Sequence, residues 1–247
     1  MSRWQSIYAR ARQFDPRTIQ GLAMWLDASD SSTVTLASGA VSEWRDKSGN
    51  SRNAAQTVAN NRPATVTVNG RTAVSFDGMN DGLEFTGVAR TDETWIIAAA
   101  QTVDQSGTRM FISNAVEGFG IASAKGSVRL LVAYFGDFAE GVGRLRPYYN
   151  SNPAIPLGPA VLSVVRSAAS GGFVFIDGTQ RPSVVNGAAS FTTSGSVAIS
   201  RIGYFNSSTL QLQGWIGEIL CYSRPLTAAE RQTAERYLGK KWGIVVA

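Results

Sequence analysis

The sequence predicts an all-β protein: a two-sheet antiparallel sandwich with an N-terminal arm and a short C-terminal helix. Three observations carry this. Short apolar runs of strand length recur about a dozen times between turn signals, the spacing of a sandwich rather than of βαβ units. Glycine fills 25 of the 247 positions, and Asn-Gly and Asp-Gly pairs punctuate the runs. The closing run, Gly214-Trp215-Ile216-Gly217-Glu218-Ile219-Leu220-Cys221-Tyr222, carries large apolar groups on both alternating faces, as in a strand buried on both sides.

The elements follow in chain order. Trp4, Ile7, Tyr8 and Ala11 share a helical face, so residues 2–13 read as a short amphipathic helix that Phe14-Asp15-Pro16 ends. Residues 1–20 form an arm that docks a partner through Arg3, Trp4, Ile7, Tyr8, Arg10 and Arg12; a flap over a sheet edge explains them equally. The sandwich occupies residues 21–247. Its strands are expected at 21–26 and 40–44, then at 65–68 and 73–76 around Asn69-Gly70, a tight-hairpin signal. A nearly all-apolar run at 94–100 reads as a central strand, followed by runs at 109–112, 119–122 and 127–134. Residues 144–159 hold Pro147, Pro153, Pro156 and Pro159 and are expected to be one irregular loop. Strands resume at 161–166, 172–177 and 197–204. Arg224-Pro225 stops the last strand, Thr227-Ala228-Ala229-Glu230 is a capping box, and Gly239 suits the helix exit.

Five segments, in this order and spacing, carry a family resemblance: WLDASD at 25–30, W-R-DKSGN at 44–50, VSFDGMNDGLEF at 74–85, FVFIDGTQ at 173–180 and WIGEILCYSRPLTAAERQTAERYLGKKWGI at 215–244. From residue 21 onward the chain resembles the concanavalin A-like lectin/glucanase superfamily, in particular its laminin-G-like jelly-roll modules. The resemblance implies a jelly-roll topology. Members of that superfamily bind sugars, hydrolyse them or serve adhesion, so fold alone leaves the function open. Similar modules recur in tail and capsid-surface proteins of bacteriophages, which makes a virion setting attractive.

Composition narrows the chemistry. The net charge of +5 comes from nineteen arginines and four lysines, and no nucleic-acid signature accompanies it, so nucleic acid is not expected as a partner. Histidine is absent, which removes Ser-His-Asp and Cys-His catalysis and every histidine-containing zinc site. Cys221 is the one cysteine and reads as a buried, inert thiol. No run of eighteen apolar residues and no secretory-type stretch occurs, so the expectation is no membrane and no signal peptide. A virion-surface protein made in the host cytoplasm reconciles an adhesion-type module with that lack.

Glucanases of the resembled superfamily carry E-x-D-x-E on one strand, since residues two apart share a sheet face and can flank the scissile bond. None of the glutamates at 43, 84, 93, 117, 140, 218, 230 and 235 stands in that pattern, and Glu218 reads as structurally paired. Nucleophile-elbow, phosphate-loop and dinucleotide motifs are missing too, so the chain is expected not to be an enzyme. No cofactor is expected apart from calcium: Asp46, Ser48 and Asn50 alternate as oxygen ligands do, with Asp77 and Asp81 able to add more. Turn formation explains the same residues. For glycans, aromatic platforms beside amides and carboxylates point to Tyr148, Tyr149, Asn150 and Asn152, with Tyr134 and Asp137. The sequence thus reads as a non-enzymatic virion structural or surface protein, on capsid or tail. Its arm would dock other virion proteins, the chain would form a homo-oligomer, and its loops would face a host glycan. A free-standing carbohydrate-binding lectin and a divergent glycan hydrolase are the alternatives.

Overall fold

The computed structural model describes residues 14–88, 92–102, 109–114, 158–167, 171–181, 198–205 and 210–247, and the backbone of the strands at 120–124, 130–134, 144–147 and 183–185. In chain order the strands are β1 (Leu22–Asp27), β2 (Val34–Ala37), β3 (Ala40–Trp44), β4 (Ala54–Ala55), β5 (Ala64–Val68) and β6 (Arg71–Asp77). They continue as β7 (Leu83–Val88), β8 (Glu93–Gln101), β9 (Arg109–Asn114), β10 (Gly120–Ala124), β11 (Leu130–Tyr134) and β12 (Arg144–Pro147). The last are β13 (Gly158–Ser167), β14 (Gly171–Ile176), β15 (Thr179–Arg181), β16 (Ser183–Val185), β17 (Ile199–Ile202) and β18 (Gln213–Tyr222), before helix α1 (Ala228–Trp242).

Every pairing is antiparallel, and two sheets result: β15-β14-β13-β8-β18-β6-β5 with β1 also on β18, and β16-β12-β11-β10-β9-β17-β7-β4-β3-β2. This is the predicted sandwich. Strand β18 serves two neighbours in succession. Its first half pairs β6, its second half pairs β1, and a register shift between Ile216 and Glu218 marks the change at Gly217.

Alternation along the strands builds two apolar layers. Met24, Trp44, Leu83, Trp95, Ile97, Ile112, Ile216, Ile219 and Cys221 fill the space between the sheets. Ile96, Ala98, Trp215, Leu220 and Tyr222 point to the other side of the eight-stranded sheet, where Ala234, Leu238 and Trp242 of α1 cover them. Each such large side chain contributes about 1.5–3 kcal/mol on burial, so the helix is a structural layer rather than an appendage. The Cys221 thiol is fully buried between the sheets, and burial first of all drives it well above its ordinary pKa. Both central residues of the predicted hairpin turn, Asn69 and Gly70, have positive φ (49° and 75°), as a primed type I turn requires.

Residues 14–20, which the sequence places with the arm, pack onto the fold. The Phe14 ring lies 5.3 Å from Tyr237, and the Tyr222 hydroxyl donates to the Pro16 carbonyl at 3.2 Å. The expected amphipathic helix at 2–13 lies outside the described residues.

Three expectations are corrected. Residues 144–159 are not one irregular loop: β12 covers its start, between β11 and β16, and β13 begins at Gly158. Proline is tolerated there because Pro147 ends one strand and Pro159 sits near the start of another. Second, strands β2, β4, β7, β15 and β16 join the sheets where no strand was expected. Third, α1 runs through Gly239 and ends at Gly243, whose φ is +70°. A Cβ on Gly239 would sit 2.5 Å from the Val246 side chain, so that glycine admits the returning tail instead of ending the helix.

Candidate functional site

Among the described residues, a dense set of charged groups lies between α1 and the eight-stranded sheet. Asp27 and Glu218 are register partners on β1 and β18, and Lys241 of α1 reaches both carboxylates at 2.7 Å. Glu218 also accepts from the Trp25 indole at 2.8 Å, the Tyr237 hydroxyl at 2.8 Å and the Trp242 indole at 3.1 Å. On the outer side Lys47 bridges Asp27 at 3.0 Å and Asp30 at 2.7 Å, with its ammonium 4.4 Å from the Trp25 ring. Burial, and then the neighbouring Asp27, push the Glu218 carboxyl upward. Burial alone would raise Asp27 as well, but Lys241, Ser29 and Lys47 outweigh it and hold that carboxyl low. Asp30, bonded to Lys47 and Ser32, falls to about 2. Protein donors saturate these carboxylates, so the cluster binds the helix to the sheet.

The other side of the sandwich is different, because the outer face of the ten-stranded sheet carries polar side chains on β2, β3, β7 and β17. A single register row crosses it from Thr35 through Glu43, Ala55 and Glu84 to Arg201, on β2, β3, β4, β7 and β17. Four strand spacings make this row about 19 Å long. Glu43 pairs Arg45 at 3.0 Å and accepts from the Asn53 amide at 3.0 Å. The exposed Glu84 carboxylate accepts from the Tyr204 hydroxyl and lies 3.6 Å from Arg201, whose guanidinium stacks 5.0 Å from the Tyr204 ring. Tyr204 is pressed flat against Gly82, where a Cβ would sit 2.2 Å from the ring. Burial, then the bond to Glu84, raise its hydroxyl pKa. The row therefore presents the exposed Glu84 carboxylate beside a largely buried Arg201 that also donates to the Phe205 carbonyl, each charge beside its opposite.

The expected site residues divide. Asp46 spends its carboxylate on the Trp25 and Ser48 amides, the Ser48 hydroxyl and the Arg52 amide, at 2.7–3.0 Å. Asn50 donates to the Leu22 and Ala23 carbonyls. Asp77 accepts from the Met79 and Asn80 amides, and the Asp77 amide donates to Asp81. Burial and then Asp77 lift Asp81 to about 6. The structure divides the calcium set between two separate turn networks whose oxygens hold backbone, and among the described residues no group of three or more His, Cys, Asp or Glu side chains gathers. Tyr148, Tyr149, Asn150, Asn152 and Asp137, like Arg3, Trp4, Ile7, Tyr8, Arg10 and Arg12, lie outside the described residues. Tyr134 is described in its backbone alone, opposite Arg144 at the start of β12, whereas Tyr148 follows the end of that strand. Sequence reasoning missed Glu84, Arg201 and Tyr204. The alternation Leu83-Glu84-Phe85-Thr86 was the available signal for β7, with its polar residues on the open face.

No family model matches the chain, and no curated protein matches it. Solved structures do. The binding domain of Paraclostridial Mosquitocidal Protein 1 superposes with a TM-score of 0.60 at 13% identity, over 93% of this chain and 56% of that one. Domain 4 of AbnA, a GH43 extracellular arabinanase from Geobacillus stearothermophilus solved with arabinotriose, gives 0.56 at 17% identity, over 85% of this chain and 95% of the domain. Trypanosoma rangeli sialidase gives 0.54 at 18% identity. The match covers 90% of this chain and 33% of that one, so the chain spans about a third of the sialidase length. These likenesses show a concanavalin-like β-sandwich fold. They also correct the expectation that the chain is not an enzyme: the same fold sits within polypeptides named as a sialidase and an arabinanase, so a missing E-x-D-x-E does not set this chain apart from enzymes.

Proposed function

We propose that the chain is a carbohydrate-recognition module that binds a glycan on the open side of its ten-stranded sheet. The observation that carries this is the polar row with its anchored Glu84, Tyr204 and Arg201 cluster. Sugar hydroxyls donate to carboxylates and accept from guanidinium groups, and a row whose charges are already balanced suits an uncharged polyhydroxyl chain. Two facts add support. The Tyr148–Asn152 stretch follows a strand of that same sheet. One domain-length structural match is to a domain solved with arabinotriose.

The setting we propose is the surface of a phage or phage-like particle, where a laminin-G-like module would face a host glycan and its arm would hold other virion proteins. The anchored entry of the arm at Phe14, beside α1 and away from the open sheet, supports that division.

A glycan array on the full chain, arabinotriose included, tests the recognition. Glu84→Gln and the pair Tyr148→Ala/Tyr149→Ala are each expected to weaken any hit about tenfold, the worth of a lost charge-assisted hydrogen bond or a stacked ring. No hit at millimolar glycan, or hits indifferent to both variants, would refute the reading.

A further inference from the structure

We infer that strand β5 is an interface between two copies of this chain, its free edge pairing antiparallel with the same edge of the second copy about a two-fold axis at Val66. The inference goes beyond the glycan reading, and nothing in it depends on a ligand.

Among the described residues, the strand orders of the two sheets finish at β15, β5, β16 and β2. A free sheet edge invites pairing with another chain, and short length, charge or a bulge normally blocks it. Strands β15 and β16 have three residues each, and β15 ends on Arg181. Strand β2 is broken by a register shift between Thr35 and Leu36. Strand β5 has none of these: it keeps an unbroken register with β6 over its five residues, and no charged side chain occurs from Pro63 to Gly70. Ala64, Thr65, Val66 and Thr67 are all exposed, so neither face of the strand is covered. The strand is also held in place. Beyond one end the Asn69 amide donates to the Trp242 carbonyl at 2.8 Å, and at the other the Val41 amide donates to the Pro63 carbonyl at 2.8 Å. An edge already ordered loses little conformational freedom on pairing.

The occupant follows from backbone pattern and sequence together. Val68 and Arg71 flank the two-residue turn as a hydrogen-bonded pair, and by alternation so do Val66 with Ala73 and Ala64 with Ser75. The N–H and C=O groups of Thr65 and Thr67 therefore point away from β6, to the open side. Thr65-Val66-Thr67 reads the same in both directions. A two-fold axis at Val66 sets Thr65 against Thr67 of the second copy and Val66 against its own counterpart. Each threonine pair exchanges two backbone hydrogen bonds, about four in all, and threonine opposite threonine is a favourable cross-strand pair. A charged partner strand would find no complement along this edge. Arg62 and Arg71, which flank it, donate to the Gln56 and Lys241 carbonyls of their own chain at 2.9 and 2.6 Å. Leu36, 50% exposed, adds apolar surface nearby: it shares a sheet face with its register partner Val41, the residue bonded to Pro63. Each copy has one such edge, so pairing closes at two. An axis perpendicular to the sheet preserves its faces, so the two open ten-stranded sheets look the same way.

The test is sedimentation velocity on the full chain from about 1 to 200 μM, joined to cysteine cross-linking. A dimer is expected to build up across that range. Val66→Lys sets like charges face to face at the axis and is expected to weaken the dimer at least about tenfold. The site is exposed, so the melting temperature read at the dilute end should hold within about 2 °C. Val66 opposite its counterpart is a non-hydrogen-bonded pair, with Cα atoms about 4.5 Å apart and within disulfide reach, so Val66→Cys should cross-link under mild oxidation. Ala64→Cys, whose two copies lie about 14 Å apart along the strands, should not. The native Cys221 is buried and gives no background. A chain monomeric throughout, a dimer indifferent to Val66→Lys, equal cross-linking at both positions, or species that keep growing beyond the dimer would each overturn the inference. So would a chain that dimerises only once residues 1–13 are removed, since its own N-terminal segment is then the occupant of the edge.

Discussion

Lys241→Met tests how α1 is held. The ammonium lies 2.7 Å from both Asp27 and Glu218, and these carboxylates are cross-strand partners with side chains 5% and 0% exposed. Methionine keeps most of the apolar stem and deletes the charge. Glu218 then faces Asp27 with only neutral donors, while Asp27 keeps Lys47 at 3.0 Å. Removing one partner of a buried ion pair costs about 3–5 kcal/mol. For a chain of this size that is a fall in melting temperature of about 6–20 °C at neutral pH. The pH sign follows from Glu218. Its carboxyl is already raised by burial first and by Asp27 second, and Lys241 is among the groups that hold it down. In the variant it rises further. A carboxyl whose folded pKa exceeds its unfolded value stabilises below the unfolded pKa and loses that contribution as pH climbs through the folded one. The deficit of the variant should therefore be small near pH 4.5 and full at pH 7.5, as read by urea denaturation at both values. Adding Glu218→Gln should recover much of the loss at pH 7.5, and Lys240→Met, on the exposed neighbour, should change stability by less than about 0.5 kcal/mol. A loss under about 1 kcal/mol at pH 7.5, or the same loss at both pH values, would show that the cluster does not hold the helix.

Gly217→Ala places a Cβ 2.6 Å from three atoms of the Trp242 indole, so thermal melting should show about 1–3 kcal/mol of destabilisation; a neutral result would mean the helix can lift without cost. Asp81→Asn keeps an acceptor for the Asp77 amide and removes a carboxyl raised to about 6 by burial and then by Asp77. The wild-type contribution of that group is present below pH 3.8 and lost as pH passes 6, so the asparagine variant should exceed wild type by up to about 3 kcal/mol at pH 7.5 and match it near pH 4. Equal stability of the two at pH 7.5 in urea would contradict the burial of Asp81.

What could be read from sequence was what local chemistry decides. The capping box closes as expected, with the Glu230 amide on the Thr227 hydroxyl at 3.3 Å and the Thr227 amide on Glu230 at 3.0 Å. The two faces of β18 sorted correctly because alternation is a property of one strand. Glu218 was readable as paired, yet its partners were not: Trp25 lies 193 residues away and Tyr237 lies in another element. Strands of two to four residues such as β4 and β16 escape a period count, because two or three positions cannot show a period. Gly239 misled for a physical reason, since a glycine that ends a helix and one that admits a neighbour are the same letter.

The same limit explains why Glu84, Tyr204 and Arg201 were not selected from the sequence. Composition favours segments rich in Tyr and Asn, and so it selected Tyr148 and its neighbours. A binding surface on a sheet is instead assembled one residue per strand, across chain separations that no local window spans. Glu84 meets Tyr204 from 120 residues away, and the row from Thr35 to Arg201 takes one side chain from each of five strands. Each of those residues but Ala55, alone, looks like ordinary polar surface. Pairing register, not residue type, turns them into one surface, and register follows from which face of each strand must be buried. In this chain the apolar residues that build the core therefore also determine, by exclusion, which polar ones stand together on the open side.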